Sequence, residues 1–340
     1  MHLPAITVII VNYNGEPYLN DCLRSLSCQT FTDFEVIVVD NGSTDTSLAI
    51  LSSSFPWVRV IPLERNEGFA KGNNMGIRAS SSKYVATLNN DTIVDKDWLT
   101  YLYEVAETDE KTGMVASKIL LGRDGFEIDS VGMLIYPDGM SRQRGRGEKD
   151  SGQYDRVDEV LFPSACAALY RRDMLRDIGL FDEDFFAYCE DADIGLRARI
   201  RGWRAVFSPK AVVYHLYSQT GGRYSVFKAY HVERNRIWVL LKNFPLNYIV
   251  TFPFYTFWRY IIQAYGLLTG RGSVARLAEG AGTADMLKVV MKANWGALTK
   301  LFVMLKKRKQ IRDTRNISSY AYMALLKKHR ISARELMLRD

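Results

Sequence analysis

The clearest signal for chemistry in the sequence is a group of acids behind an aromatic run at residues 185–197, FFAYCEDADIGLR. Glu190, Asp191 and Asp193 open a predicted helix there. A carboxylate beside aromatic walls is suited to work as a general base. The alternative is helix capping, because acids in a first turn favour the positive end of the helix dipole. That alternative is stronger for Asp193, which has Arg197 four residues on, than for Asp191.

Four polar clusters each follow an apolar run directly, and they predict a binding edge. Ligands bind at the carboxyl ends of the strands in a doubly wound sheet. One such cluster can be a plain turn, whereas four in succession are hard to explain in that way. Tyr13 offers an aromatic face for a base, and Asp40 offers an acceptor for the imide N–H that uracil and thymine share. The clusters are residues 12–14 (NYN), 40–42 (DNG), 66–68 (NEG) and 89–91 (NND).

The last cluster also contains a candidate metal ligand. Asp91 at a strand end can hold Mg²⁺ or Mn²⁺, which in turn bridges the two phosphates of a nucleotide. A single aspartate is weak evidence, and His215 in the segment 212–218 (VVYHLYS) is the second candidate. From position alone, a lone histidine after an apolar strand is more often a core residue than a ligand.

The first half of the sequence predicts the scaffold for these residues. Continuous apolar runs alternate with segments of helical periodicity. This order predicts a doubly wound, mostly parallel α/β sheet. Strands are predicted at residues 6–11, 35–39, 58–62 and 84–89, and helices at 18–29, 47–54 and 68–80. Further on, a mobile basic loop is predicted at 139–156, a helix at 191–201 and a strand at 205–207.

Taken together, these motifs resemble those of the inverting family 2 glycosyltransferases with the GT-A fold. IIVNYN, VVDNGSTD, NEGFAKGNNMGI, LNND, the ED of YCEDAD and VVYH occur in that family's order and approximate spacing. The resemblance covers residues 4–220, about two thirds of the chain. It implies a Rossmann-like, mostly parallel sheet flanked by helices, and sugar transfer from a nucleoside-diphosphate donor. The third motif is typical of bacterial enzymes that extend polyprenyl-diphosphate-linked sugars, often rhamnosyltransferases.

The resemblance also implies roles for individual residues. Tyr13 and Asp40 would hold the pyrimidine, and Asn66 and Asn74 would line the path of the ribose and diphosphate. The residues predicted to bind the nucleotide sugar are Asn12, Tyr13, Asp40, Asn66, Lys71, Asn74, Asn89 and Asn90.

For the metal and the base, the resemblance implies a site that departs from the family pattern at one position. Asn89 and Asp91 stand at the ends of the family's DxD metal motif, so its first acid is an asparagine here. A histidine after the last core strand can complete the metal shell, and His215 matches that position. The predicted cofactor is therefore Mg²⁺ or Mn²⁺ at Asp91 and His215. Asp191 is the predicted base, with Glu190 as the fallback.

The implied reaction is a single displacement. The base takes the proton of an acceptor hydroxyl, which attacks the anomeric carbon from the face opposite the diphosphate. The predicted donor is a dTDP- or UDP-sugar, with rhamnose favoured, and the predicted acceptor is a polyprenyl-diphosphate-linked saccharide. Processive synthases of the family carry a QxxRW motif and several long spanning helices. Neither is visible in this sequence, which favours the addition of one sugar or a few.

The distribution of charge divides the chain into two predicted domains. Residues 1–232 contain 25 Lys and Arg against 32 Asp and Glu, whereas residues 233–340 contain 20 against 6, a net charge of +14. We therefore predict a catalytic GT-A domain at 1–232 and a basic helical region at 233–340.

The basic region predicts attachment to an anionic membrane surface. Residues 243–258 form an uncharged aromatic run broken by two prolines, which favours an interfacial element over a spanning helix. Residues 286–305 predict a basic amphipathic helix followed by KKRK. The alternative is that these helices pack on the catalytic domain or form a homodimer contact. Nucleic acid is disfavoured, because no binding motif accompanies the charge.

The cysteines, the N-terminus and the residues after the first strand indicate the localisation and the class of function. The four cysteines form no CxxC pair, which indicates reduced thiols and a cytoplasmic protein, peripheral on the inner face of the cell membrane. The N-terminus lacks the features of a signal peptide. Two rival functions stay open: a transferase for a soluble or protein acceptor with an oligomerising tail, and a non-catalytic nucleotide-sugar-binding protein. An oxidoreductase is disfavoured, because no GxGxxG follows the first strand.

Overall fold

The computed structural model describes residues 3–216, 225–272 and 283–339 of the chain. The end of the segment 212–218 and part of the predicted basic region, residues 273–282, lie outside the described residues. The strands are β1 Ile6–Asn12, β2 Phe34–Asp40, β3 Arg59–Pro62, β4 Tyr84–Asn89, β5 Thr92–Val94, β6 Thr112–Leu121, β7 Glu127–Ser130, β8 Met133–Ile135, β9 Ser141–Gln143, β10 Asp158–Val160, β11 Ala167–Arg171 and β12 Arg204–His215.

The helices divide into one set between the strands and one set after the last strand. The first set is α1 Glu16–Ser27, α2 Ser47–Ser54, α3 Phe69–Ala79, α4 Trp98–Glu107, α5 Arg172–Ile178 and α6 Glu190–Ile200. The second set is α7 Val226–Asn243, α8 Leu246–Leu268, α9 Thr283–Thr299, α10 Leu301–Asp313, α11 Ser319–Lys328 and α12 Ala333–Leu338.

The main sheet is mixed, with a parallel half and a more irregular half. Its central order is β10-β12-β6-β11-β4-β1-β2-β3. The strands β3, β2, β1 and β4 are parallel, whereas β11 runs antiparallel between β4 and β6. The predicted alternation of strands and helices is confirmed over the first 90 residues.

The polar clusters lie together because the first four strands are parallel. Asn12 is paired with Asp40 across β1 and β2, and Val11 is paired with Asn89 across β1 and β4. Side chains of β1 alternate between two hydrophobic clusters, with Ile9 in one and the residues before and after it in the other. The core therefore covers both faces of the sheet and leaves its carboxyl edge for polar groups.

Several elements differ from the prediction. The strand predicted at 205–207 continues as β12 to His215, with an irregularity between Ser208 and Val212. The predicted mobile loop at 139–156 contains β9, which pairs antiparallel with β8 just before the loop, and a series of turns. Its arginines are bonded to other parts of the fold, since Arg142 donates to the carbonyl of Leu336.

The aromatic run at 243–258 is broken at Pro245, between α7 and α8, but not at Pro253. Pro245 lies at the N-cap of α8, where its missing N–H costs nothing, and Pro253 lies inside a continuous helix of 23 residues. The predicted helix at 286–305 ends at Thr299, and α10 begins at Leu301. Across the described ranges, no helix combines the length and the apolar character that crossing a membrane requires.

The predicted domain boundary after residue 232 lies inside helix α7. Trp238 and Leu240 of this helix are buried in the larger hydrophobic cluster. Lys242, near its end, is buried and lies 2.7 Å from the carboxylate of Asp193 in α6. The change in charge along the chain therefore does not coincide with a break in packing, and the division into two domains stays a prediction.

A buried network of four charges joins α7 and α8 to the turn after β8. Arg259 donates to both oxygens of Glu233, at 2.8 and 3.0 Å, and to Asp138 at 2.7 Å. Arg236 donates to Glu233 at 2.6 Å. Burial by itself raises the pKa of Glu233, but the two guanidinium charges outweigh it and lower that pKa to about 2. Each charge is thus tolerated in the interior because its partners are there.

Replacing Arg259 should therefore destabilise the whole fold. Arg259→Ala leaves two buried carboxylates to share Arg236, and we expect it to lower the free energy of unfolding by about 3–5 kcal/mol. Denaturant unfolding measures this, with Arg312→Ala, an exposed arginine of α10, as the control that should change it by less than about 0.5 kcal/mol. Equal effects of the two variants would contradict the role given to the network.

Candidate active site

A cleft of about 630 Å³ opens at the carboxyl edge of the sheet, and it extends beneath the C-terminal helices. Eight of the twelve predicted site residues line it, whereas Asn12, Asp40, Lys71 and Asn74 do not. The eight lining residues are Tyr13, Asn66, Asn89, Asn90, Asp91, Glu190, Asp191 and His215. The cleft therefore brings together the candidate general base, the candidate metal ligands and Tyr13, whose aromatic ring is predicted to contact the pyrimidine of the nucleotide.

Asn12 and Asp40 lie beneath the floor of the cleft. The buried amide of Asn12 donates to Asp40 at 3.0 Å and accepts from Asn90 at 2.8 Å. The carboxylate of Asp40 also accepts from the hydroxyl of Ser43 at 2.6 Å. The contact of both residues with the nucleotide stays a prediction. They hold Asn90 and the turn at Ser43 in place, and those groups are nearer to the cleft.

For Asn74 and Lys71, which do not line the cleft, the predicted role at the nucleotide also stays a prediction. The amide of Asn74 is buried and bonds both the carbonyl and the N–H of Phe181, at 2.8 and 3.0 Å, and also Glu183. It therefore ties α3 to the segment before α6. Lys71 forms an ion pair with Glu67 at 2.9 Å, one turn before it in α3. Both residues follow the motif in sequence, but the helix turns their side chains away from the cleft.

Asp91, His215 and Asp129 form a chain of groups on one side of the cleft. The Nε2 atom of His215 lies 3.3 Å from Asp91, and its Nδ1 atom lies 2.9 Å from Asp129. Burial by itself lowers the pKa of His215, but the acidic groups of Cys166, Asp129 and Asp91 outweigh it and hold that pKa well above its ordinary value. The site thus favours positive charge at this point.

The same residues fit a divalent cation held together with a diphosphate. One carboxylate and one imidazole, Asp91 and His215, face the cleft, and Mg²⁺ or Mn²⁺ commonly takes its remaining ligands from phosphate and water. Among the described residues, no group of three or more His, Cys, Asp or Glu side chains is placed to hold a metal. The protein therefore offers a partial shell that a nucleotide would complete.

The candidate base is carried by a loop with an unusual backbone. Phe186, Tyr188 and Cys189 all have positive φ angles, of 65°, 68° and 66°. Such conformations cost about 1–3 kcal/mol each, unless the surroundings stabilise them. The N-terminus of α6 follows directly, so the loop sets where Glu190 and Asp191 lie.

One buried amide holds this loop. Asn235 of α7 donates to the carbonyls of Phe185, Ala187 and Tyr188, at 3.0, 2.9 and 2.7 Å. Sequence reasoning missed this residue because it lies about 50 positions away in a region assigned to another domain. No pattern in the sequence singles it out, because it stands between Arg234 and Arg236 in a polar stretch of α7.

The loop also contacts the nucleotide side of the cleft. Ala70 at the start of α3 donates to the carbonyl of Phe186 at 3.1 Å. Gly68 has a φ angle of 89°, and a Cβ atom there would lie 2.6 Å from that carbonyl. Glycine is thus required both by the backbone and by the close approach. The motif NEGFA therefore fixes the distance between the donor edge and the acids.

Glu190 and Asp191 form a coupled pair in which burial raises both pKa values. The pKa of Glu190 rises further because of the neighbouring charge of Asp191. The Oε2 atom of Glu190 is buried without a hydrogen-bond partner among the described residues. Asp191, in contrast, accepts from the N–H of Ala192 at 2.7 Å, which favours its charged form. At neutral pH Asp191 is therefore the ionised member of the pair, and Glu190 retains the proton.

Asp193 has a structural role. Its buried carboxylate accepts from Arg197 at 2.9 Å and from Asn243 at 3.0 Å, and it lies beside Lys242. Burial alone raises its pKa, but the charges of Lys242 and Arg197 lower it well below its usual range. The alternative of a structural pair, considered for Asp193 from the sequence, is thus the one that the structure supports.

Comparison with known proteins assigns the chain to a family. The sequence model of glycosyl transferase family 2 matches residues 7–179, about half of the chain. The chain belongs to glycosyl transferase family 2. The match covers the strands that carry Tyr13, Asn66 and Asp91, and it ends before Glu190.

The curated relatives of this family 2 chain are synthases of a bacterial polysaccharide. The poly-beta-1,6-N-acetyl-D-glucosamine synthase of Staphylococcus aureus (strain COL) is 25% identical over 225 residues, which are 65% of this chain and 52% of that protein. The synthase of Staphylococcus epidermidis is 23% identical over 222 residues, covering 64% and 51%. The chain therefore spans about half the length of the curated relatives it matches.

Two solved structures show the same fold as this family 2 chain. The crystal structure of GalNAc-T7 with UDP, GalNAc and Mn²⁺ has a TM-score of 0.57 at 17% identity, and it covers 71% of this chain and 48% of that one. The structure of S. aureus TarS 1–349 in complex with UDP has a TM-score of 0.52 at 21% identity, covering 94% and 91%. The second match extends over both the sheet and the C-terminal helices.

Asp129 should control metal affinity in this family 2 chain, because it lines the cleft and bonds the Nδ1 atom of His215. It was missed from the sequence, where it is only an acid between Ile128 and Ser130 of β7. Asp129→Asn removes the charge that orients His215, and we expect about 10–100-fold weaker binding of Mn²⁺ in the presence of UDP. Calorimetry measures this. The control Asp158→Asn removes an exposed partner of Arg144, and equal affinities in the two variants would contradict the role.

Asn235 should control the rate of sugar transfer more than donor binding. Asn235→Ala frees the loop at Phe186–Cys189, and a shift of the acids by about 1 Å is expected to lower kcat about 100-fold. The donor KM should change little, because the residues near the nucleotide lie on other elements. The acidic limb of the pH–rate profile should also move, since the surroundings of Asp191 change.

The control for that variant is Asn294→Ala, which removes a half-buried amide that bonds to the carbonyl of Val290 within α9. If the variant only reduced the fraction of folded protein, the rate would fall but the pH–rate profile would not change. That result, or an equal loss in the control, would show that Asn235 serves stability alone.

Proposed function

We propose that the chain catalyses an inverting, metal-dependent transfer of a sugar from a dTDP- or UDP-sugar to a polyprenyl-diphosphate-linked saccharide in cell-surface glycan synthesis. The observation that carries the proposal is the cleft itself. It holds Asp191 and Glu190 on one wall, Asp91 and His215 on another, and Tyr13 at the donor edge.

The proposed base is Asp191. It is ionised at neutral pH and lies at the N-terminus of α6, where the helix dipole stabilises its charge. It takes the proton of the acceptor hydroxyl, and that oxygen attacks the anomeric carbon from the face opposite the diphosphate. Glu190 retains its proton, and its carboxyl group is positioned to donate a hydrogen bond to a substrate oxygen in the cleft.

The metal site belongs to the donor half of the proposal. Asp91 and His215 would hold Mg²⁺ or Mn²⁺, which when bound supplies positive charge to the leaving diphosphate. Asp129 holds the Nδ1 atom of His215 and so directs Nε2 to the cleft. Asn89, in place of the first acid of the family motif, contributes an amide at the same edge without adding charge.

We propose two candidates for the donor sugar. Rhamnose comes from the resemblance of the NxGFAxGNNxG motif to bacterial rhamnosyltransferases. The names of the curated relatives add N-acetylglucosamine as the second candidate. A thermal-shift panel of dTDP-rhamnose, UDP-N-acetylglucosamine and UDP-glucose, each with and without Mn²⁺, separates these candidates.

The proposed acceptor places the protein at a membrane. We propose a cytoplasmic protein, peripheral on the inner face of the cell membrane, that adds one sugar or a few to its acceptor. The support is the net charge of +14 in residues 233–340, because anionic lipid attracts clustered lysine and arginine.

The Asp191→Asn variant tests the reaction. We expect kcat to fall by about 10²–10⁴-fold, because the contribution of a positioned base is lost. Donor binding with Mn²⁺, followed by thermal shift, should persist, and the control Asp173→Asn, at an exposed acid of α5, should leave both unchanged. Full activity in Asp191→Asn and none in Glu190→Gln would move the base to Glu190. Absence of donor binding and turnover in the unmodified protein would refute the proposal.

The same pair predicts a bell-shaped pH dependence. A base acts only when deprotonated, so activity should rise as the pH increases through the Asp191 pKa, which burial raises to about 6. A donor of a hydrogen bond acts only when protonated, so activity should fall above the Glu190 pKa, raised to about 8. Initial rates of Glu190→Gln should lose the alkaline limb and keep the acidic one. A profile with no acidic limb would contradict the assignment of Asp191.

A further inference from the structure

Exposed apolar side chains are concentrated in one part of the structure. Of the 23 large hydrophobic residues that are exposed among the described residues, 15 lie between residues 246 and 305. Scattered exposed hydrophobic residues are normal on protein surfaces, but contiguous ones mark an interaction site. The helices α8 and α9 and the start of α10 therefore need a partner.

Helix α8 has a continuous apolar outer face. At 100° per residue, its exposed apolar side chains fall within an arc of about 120°. Leu268 at its C-terminal end is 87% exposed. The only ionisable acid or base along the helix is Arg259, which is buried on the opposite side. The outer face of α8 is Leu246, Val250, Phe254, Phe257, Ile261 and Leu268.

Helix α9 has a narrower apolar face with lysines along one border. Leu287, Met291 and Trp295 are exposed within an arc of about 80°, and Lys288 and Lys292 follow at the next angles around the helix. Phe302 continues the face at the start of α10 and is 84% exposed. This arrangement of aromatic and aliphatic side chains beside lysines is typical of helices that lie in a membrane interface.

The apolar surface adjoins the cleft. Met286, Val289 and Val290 of α9 line the cleft. Met286 also packs against the same small hydrophobic cluster as Tyr255 and Ile262 of α8. One helix thus contributes side chains both to the exposed face and to the cleft wall.

We propose that the outer faces of α8 and α9 bind the surface of an anionic lipid bilayer, which places the α9 side of the cleft beside the lipid. The proposal deepens the proposed function, and rests on it for the lipid-linked acceptor. The bilayer supplies what these faces lack, namely an apolar layer for the aromatic side chains and anionic headgroups for the bordering lysines.

Charge distinguishes the bilayer from a second copy of the chain. A symmetric contact would place each basic face against its own copy, and like charges across an interface are unfavourable. Lys306 and Lys309 follow α9 on α10 and are exposed, and Asp285 is the sole exposed acid among residues 285–312 of the described structure. The surface therefore complements an anionic partner better than it complements itself.

Vesicle sedimentation tests the proposal with the full chain. The protein should bind vesicles of phosphatidylcholine with about 30% phosphatidylglycerol at least about tenfold more tightly than vesicles of phosphatidylcholine alone, and added salt should weaken this binding. Phe254→Glu and Trp295→Glu should each weaken it, and the double variant should lose at least about tenfold. The control is Phe126→Glu, at an equally exposed aromatic residue of the catalytic part, which should bind as the unmodified protein does.

Further readouts separate the failure of this proposal from the failure of the proposed function. Thermal shift with dTDP-rhamnose or UDP-N-acetylglucosamine and Mn²⁺ reports the fold and the donor site of every variant, independently of lipid. Light scattering reports self-association. Donor binding without vesicle binding would overturn the docking surface and leave the transferase intact. A dimer that the two glutamate variants dissociate, with no vesicle binding, would assign the faces to a second copy instead.

Discussion

The placement of the acids depends on three hydrogen bonds from a single amide. Asn235 donates to the carbonyls of a loop that turns through three positive φ angles, and Glu190 and Asp191 follow this loop at the cleft. The unfavourable backbone is retained because α7 is itself fixed in the core. A strained loop held from outside places a carboxylate more reproducibly than a flexible one, which is what a general base requires.

Buried charge connects this loop to the rest of the molecule. Asp193 joins α6 to Lys242 of α7, and Glu233 of α7 joins Arg259 of α8. Such pairs add little net stability compared with apolar packing, but they penalise any other arrangement of the helices, because a displaced helix would leave a charge without its partner. The register of α7, and hence the position of Asn235, is therefore specified by polar contacts within an apolar interface.

The sequence predicts the position of a site residue where that position depends on the neighbouring sequence. It does not predict a position that depends on packing between distant elements. Parallel strands that end in polar residues predicted the site of Tyr13, Asn66 and Asp91, because strand ends meet at one edge whatever the details. The contact of Asn74 with Phe181 could not be predicted, since the helical turn that directs its side chain there is not visible in a motif. Asp129 and Asn235 could not be found, because each becomes functional only through a contact across many residues of sequence.

The predicted boundary after residue 232 shows the same distinction in another form. The charged residues of a chain lie mainly on its solvent-facing surface, and in this chain the net charge changes from negative to positive at residue 232. The hydrophobic core, in contrast, continues through α7. A chain ending at residue 232 would retain every motif that indicated function, and yet would lack the amide that holds the loop of the base. The part of the chain that the active site requires is thus larger than the part that the motifs cover. The C-terminal helices that complete the site also present the apolar faces of α8 and α9.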